Sequence, residues 1–182
     1  MTGKPFLYAA LLLLTQCSKC KQDDPSPESQ LPPATQTGAN TFGCLVNGQV
    51  YLPSGNNGTA NYAVLYEPGF QGGTLQIYTY RYPEPKVAKT QEVSLGGINI
   101  DHIGAYELGL NKDVGASFID DHKLRPCNEY RSDQSTVYSR GSLTITRLDL
   151  TAGIISGTFA FTLAQPGCDT IKVTQGRFDK KL

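Results

Sequence analysis

The stretch Ile154-Ile155-Ser156-Gly157-Thr158-Phe159-Ala160-Phe161-Thr162-Leu163-Ala164 decides the fold class. Ile155, Gly157, Phe159, Phe161 and Leu163 share one parity, while Ser156, Thr158, Ala160 and Thr162 share the other. A period of two with one apolar set predicts a strand buried on one face and wet on the other, as in an antiparallel sheet. Upstream, Val137 to Leu150 reads as its hairpin partner across Leu150-Thr151-Ala152-Gly153. Downstream, Ile171 to Phe178 closes the chain, and Gly176 is expected to bend that strand so that Arg177 and Phe178 change face. Arg177 and Asp179 share a parity and are expected to form a surface or sheet-edge pair.

The rest of the domain reads the same way. Phe42 to Val46 and Gln49 to Tyr51 flank Asn47-Gly48, a dipeptide that supplies the positive φ angles of a type I′ hairpin turn. Further strands are expected at Tyr62 to Tyr66, at Gly73 to Tyr82 (ended by Pro83 and Pro85), at Ile98 to Ile100 and at Tyr106 to Leu110. No segment holds a helical period over ten residues. The expected fold is therefore all-β, a single antiparallel β-sandwich or partly closed barrel of about eight or more strands, with the sandwich preferred.

Three parts follow along the chain. Residues 1–16 read as a lipoprotein signal peptide: Lys4 precedes an apolar run from Phe6 to Leu14, too short to span a membrane, and Leu14-Thr15-Gln16 leads into Cys17. This order resembles a bacterial lipoprotein signal, which implies lipidation of Cys17; a plain secretory signal with an incidental cysteine is the alternative. Lys19 to Asp24, a lysine-rich stretch ending in paired acids, resembles the surface-export signal of Bacteroidota lipoproteins. Residues 17–39, rich in Pro, Ser and Gln, are expected to be a lipid-anchored flexible tether. Residues 40–182 form the β domain. The expected location is the outer membrane, lipid-anchored and facing the cell surface. Loss of residues 1–16 removes Lys4 alone among the charges, so 15 basic and 16 acidic residues remain and the net charge is −1. That argues against nucleic acid as a partner.

Few residues suggest chemistry. Cys44 shares its parity with Phe42 and Val46 and should lie in the core. Cys127 and Cys168 sit in loops and are the pair placed for a disulfide, with three free thiols as the alternative. His102 beside Asp101 and His122 beside Asp120 and Asp121 lack metal-ligand spacing, so no metal and no cofactor is expected. Asp120 to Lys123 reads as a solvated loop. No nucleophile, paired-carboxylate frame or metal motif appears, no catalytic residue is assigned, and the chain is read as not an enzyme. Asn57-Gly58-Thr59 is a bare sequon, and Asp169-Thr170-Ile171 resembles a Bacteroidota O-glycosylation acceptor at Thr170, or simply a turn entering a strand.

Ten tyrosines stand against no tryptophan. Tyr78, Tyr80 and Tyr82 share one face of a strand opposite Leu75, Ile77, Thr79 and Arg81. With the aliphatic side inward, the three rings become a candidate binding face for sugar rings or a protein partner. Ordinary cross-strand tyrosine packing is the alternative.

LPPATQTGANTFGCLVNGQVYLP (31–53), LTITRLDLTAGIISG (143–157) and GTFAFTLAQPGCDTIKVTQGRFDKKL (157–182) resemble a family of Bacteroidota lipoproteins of unknown function. Its members carry LPPxTQxGxNTFGCxVNG near the start and SGTFxFT…DTIxxTxGRFD at the C-terminus. The resemblance implies one lipid-anchored β domain and supplies no catalytic residues. Together these readings imply a non-catalytic binding module for glycan or protein on a lipid anchor. The alternative is a structural or accessory lipoprotein of an envelope complex.

Overall fold

The computed structural model describes residues 25–56, 58–82 and 91–182. The signal peptide, Cys17, Lys19 to Asp24, Asn57, Pro83 and Pro85 lie outside the described residues. Among the described residues eleven strands form: β1 (Thr41–Val46), β2 (Gln49–Tyr51), β3 (Tyr62–Glu67), β4 (Thr74–Arg81), β5 (Gln91–Gly97), β6 (Gly104–Gly109), β7 (Val114–Asp120), β8 (Glu129–Arg131), β9 (Tyr138–Asp149), β10 (Ile154–Ala164) and β11 (Ile171–Lys181). They make one sheet in the order β2-β1-β11-β10-β9-β6-β7-β5-β4-β3, with β8 added beside β7. The pairings are antiparallel, except that β6 meets β7 in parallel at Leu108 and Val114. The sheet curls strongly into a half-barrel, so the partly closed barrel is the form taken rather than two stacked sheets.

Glycine–phenylalanine pairs line the inside of the curl. Gly157 is paired with Phe178, Phe159 with Gly176, and Phe161 with Gly141, all on neighbouring strands. Each ring lies across a residue with no side chain, so strands can bend tightly without losing core volume. Phe42 stacks on Phe159 at 5.3 Å, and Phe159 on Phe161 at 6.3 Å, giving a continuous aromatic core. Asn47 and Gly48 have φ of 49° and 79°, the geometry their turn requires. In β11 one extra residue is inserted against both neighbours around Gln175, whose φ is 53°. This bulge moves the inward set from Ile171 and Val173 to Gly176 and Phe178.

Four sequence expectations need correction. Ile98 to Ile100 is not a strand: β5 ends at Gly97, and Ile100 is buried because its backbone bonds Gly73 and receives the Tyr66 hydroxyl. Asp120 is the buried last residue of β7 rather than part of a solvated loop. The tether of 17–39 does not extend to residue 39. A 3₁₀ turn at Pro27–Gln30 leads into Leu31, which is buried, and Pro32 lies against Gly43. Residues 31–39 are a strap docked on the sheet, so the ordered domain begins well before residue 40.

The strap explains the fourth correction. Asp179 is 1% exposed and does not pair with Arg177. It points to the outer face opposite Phe178, where the strap covers it. Its carboxylate accepts hydrogen bonds from Thr35 Oγ1 (2.6 Å), Thr37 N (2.9 Å), Thr37 Oγ1 (3.4 Å), Gly38 N (2.8 Å), Ala39 N (3.1 Å) and Ser156 Oγ (2.7 Å). Burial alone would raise its pKa. The donors from Ser156, Thr35, Ala39 and Thr37 outweigh burial and hold it well below the usual carboxylate range. Arg177 turns to the carbonyls of Gln175 and Pro32 instead.

Candidate functional site

The alternation of β4 puts Leu75, Ile77 and Thr79 fully inside and turns Tyr78 and Tyr80 to the outer face, where both are half-buried. Tyr82 does not join them as an exposed ring. It is buried beyond the end of β4, because the chain after β2 runs alongside it. Ser54 bridges to Arg81, the Tyr82 amide donates to the Ser54 carbonyl, and the Tyr82 hydroxyl meets Thr59 Oγ1 at 3.4 Å. Tyr80 stacks on the Tyr82 ring at 5.7 Å. Tyr82→Ser is accordingly expected to cost about 3 kcal/mol, and Tyr78→Ser no more than about 1 kcal/mol. Thermal melts of the two variants check this; equal midpoints would contradict the assigned burial.

Sheet register carries the outer face away from Tyr78 in a straight row. Tyr78 is opposite Ser94 on β5, Ser94 is opposite Ser117 on β7, and Ser117 is opposite Arg131 on β8. Four neighbouring strands span roughly 14 Å at about 4.8 Å per step. The next row is Gln76, Gly96 and Gly115. Its two glycines and the two serines leave a shallow groove of ≈ 380 Å³ between larger side chains. Exposed Phe70 flanks one end.

The polar groups of this groove hold one another in place. Ser94 and Ser117 hydroxyls are 2.6 Å apart, and Ser94 Oγ donates to Glu92 Oε1 at 3.1 Å. The Tyr78 hydroxyl donates to Gln76 Oε1 at 3.0 Å, which fixes the ring's tip. Arg131 Nε donates to Asp133 Oδ1 at 3.3 Å. The result is an aromatic ring at one end, hydroxyls in the middle and a guanidinium–carboxylate pair at the other. Such a row can take the apolar face of a flat polar molecule on the ring and exchange hydrogen bonds along its length. Only Tyr78 of this set was singled out from sequence. Ser94, Ser117 and Arg131 sit on three strands whose alignment no local pattern shows.

The remaining residues fall elsewhere. Cys127 and Cys168 form a disulfide with Cα atoms 5.4 Å apart, joining the β7–β8 connection to the β10–β11 turn. Cys44 is free and fully buried; burial pushes its thiol up to about 12, against a smaller lowering by Arg81, so it stays protonated at neutral pH. Thr170 is exposed just before β11. His102 contacts Asp101 at 2.6 Å and His122 contacts Asp120 at 3.3 Å, on separate loops. Among the described residues no group of three or more His, Cys, Asp or Glu is placed to hold a metal ion.

A family model described as Domain of unknown function (DUF6252) matches residues 70–180. The match runs from the turn before β4 into β11, and so includes the whole Tyr78 to Arg131 row as well as Asp179. No curated protein and no solved structure matches the chain.

Proposed function

The chain belongs to this family of unknown function (DUF6252), and on that footing we propose that it is a non-catalytic glycan-binding module displayed on a lipid anchor. The observation that supports the glycan reading is the row Tyr78–Ser94–Ser117–Arg131 across four registered strands. Its length suits two to three sugar rings. A pyranose offers C–H groups on one face for the Tyr78 ring and hydroxyls at its edge for Ser117, Arg131 and Asp133. The groove is shallow and open, which suits an extended chain more than an enclosed small molecule.

The anchor reading rests on the order Lys4, apolar run, Leu-Thr-Gln-Cys17. Acyl chains on Cys17 would hold the domain at the outer membrane, with Lys19 to Asp24 directing it to the cell surface. Cys17→Ala is expected to abolish labelling by palmitate and to shift the protein from the membrane to the soluble fraction. Unchanged labelling would end the lipoprotein assignment.

The groove is tested separately, on the purified chain carrying Cys17→Ala, by glycan-array binding. Tyr78→Ala and Arg131→Ala are each expected to weaken retained glycans about tenfold, or about 1.4 kcal/mol. Binding left intact in both variants would move the ligand site elsewhere. Absence of any glycan binding would favour the envelope-accessory role instead.

A further inference from the structure

We propose that the seam of the half-barrel, between the start of β1 and the start of β3, holds a second ligand site for a small aromatic carboxylate. The site shares no residue with the glycan groove and does not rest on it. The sheet ends at β3 on one side and at β2 on the other, with β1 next to β2, so β1 and β3 do not pair. A pocket of ≈ 430 Å³ occupies the gap between them. That size falls among small-ligand clefts, which run from about 300 to 1,000 Å³. Its walls are Phe42, Tyr62, Leu52, Pro53 and Pro32. The Phe42 and Tyr62 rings meet at 5.7 Å with a tilt of 47°, and a third ring can pack on such a pair by face or edge.

The walls are held in shape before any ligand arrives. Pro32 of the strap and Leu52 both close over Gly43, where a Cβ would come within 2.7 and 2.9 Å of them. Ser54 is bridged to Arg81, and Asn61 Nδ2 donates to the Gly55 carbonyl at 2.9 Å. These contacts fix the chain after β2 against the start of β3. On the other wall Asn40 Oδ1 accepts from the Lys181 amide at 3.4 Å. Such preorganisation lowers the cost of binding.

Two polar groups in the seam lack a counterpart, and both call for an acceptor. Lys180 follows Gly176 and Phe178 in the inward set of β11 and lies opposite buried Ile155. Its Nζ sits 4.9 Å over the Tyr62 ring and, among the described residues, pairs with no carboxylate. A ring face attracts an ammonium but leaves its N–H donors unused. The Tyr62 hydroxyl is buried and, among the described residues, has no hydrogen-bond partner, which is uncommon in a folded protein. Burial, with a further push from Asp179, raises its pKa, so it stays a neutral donor. Among the described residues no Asp or Glu lines the pocket. The Asp179 carboxylate points to the other face of β11, where the strap's donors and Ser156 already fill it. A carboxylate brings two acceptor oxygens. One ligand group can therefore serve the ammonium above the Tyr62 ring and the hydroxyl at its tip, while the ligand's ring packs against Phe42 and the prolines.

The test uses the purified chain carrying Cys17→Ala, titrated with 3-phenylpropanoate and its neutral isostere 3-phenylpropanamide and followed by NMR. Phenylpropanoate is expected to bind about tenfold more tightly than the amide. Lys180→Met keeps the apolar stem over the Tyr62 ring and removes the charge; it should erase most of that preference and leave the amide's affinity unchanged. Tyr62→Phe removes the hydroxyl alone, so it should keep the melting point and weaken phenylpropanoate about threefold. Lys172→Met, an exposed cation near the other end of β11, should change neither probe. Tyr62→Phe decides the matter should Lys180→Met fail to fold: unchanged phenylpropanoate binding in that variant would overturn the proposal. Equal affinity for the two probes, a preference that survives Lys180→Met, or no binding of phenylpropanoate at millimolar concentration would each overturn it as well.

Discussion

Replacing Asp179 with alanine is expected to lower the stability of the domain by about 3–5 kcal/mol, the range for removing one partner of a buried charged network. At about 2–4 °C per kcal/mol for a domain of this size, the melting point should fall by roughly 10 °C. The carboxylate is the shared acceptor for three strap amides, two strap hydroxyls and Ser156. Without it the strap can regain water for its own donors only by peeling away. Peeling exposes Leu31 and uncovers Gly43 from Pro32. It also leaves Ser156, fully buried in the wild type, facing the vacated site. Limited proteolysis should therefore cut within residues 31–39 in the variant and spare them in the wild type. Asp179→Asn should behave like alanine, because its amide would present donors to donors. An undamaged melting point with a protected strap would refute the role given to Asp179.

The same carboxylate predicts an acid dependence with a definite sign. Its hydrogen bonds depress its folded pKa despite burial, so below the ordinary value near about 4 the unfolded chain binds more protons than the native one. The strap's contribution is complete above that pH and is lost progressively as pH falls through and beneath it. In urea titrations the gap between wild type and Asp179→Ala should be constant from neutral pH down to about 5 and shrink below about 4. A gap that grows on acidification would contradict the depressed pKa.

Different parts of this molecule were legible in the sequence to different degrees, for physical reasons. β10 was readable because its inner set is Ile and Phe against Ser and Thr, and the Asn47-Gly48 turn because only a few residues tolerate its φ angles. β5 and β7 were not, although Val93 and Leu95, or Val114, Ala116 and Phe118, all point inward. Apart from Ile119, their outer positions are Gly, Ser and Glu, residues that also spell loop, and the glycines and serines among them are what hollow the groove beside Tyr78. Asp179 was misplaced because parity put it correctly on the outer face, where exposure is the default. What buries it is a segment 140 residues away in sequence. The sequence offered one clue, the donors of Thr35, Thr37 and Gly38 crowded together with no acidic residue between Glu28 and Glu67. Tyr82 followed the same logic: its facing was set by β4, but a neighbouring loop covers it.

Gly157→Val is where local preference and packing predict opposite signs. Valine is a favoured strand residue and glycine a poor one, so propensity alone expects the substitution in β10 to stabilise the sheet. The tertiary contacts expect a loss of about 3 kcal/mol, at the upper end for overpacking. A Cβ at this position would sit 2.4 Å from the Thr144 carbonyl oxygen and 2.7 Å from Phe178 Cε1. The carbonyl belongs to the β9 ladder and cannot withdraw without breaking its pairing. The Phe178 ring cannot swing outward, because the residue after it is Asp179, fixed under the strap. Two γ-methyls added to that Cβ make the collision worse, so β10 must part from β9 or Phe178 must leave the aromatic core. Phe178→Leu combined with Gly157→Val should recover part of the loss, since a smaller side chain opposite makes room. Chemical denaturation of the two single variants and the double variant measures the coupling. Additive losses would mean that the glycine is not there to seat the ring, and that the curl of the half-barrel has another cause.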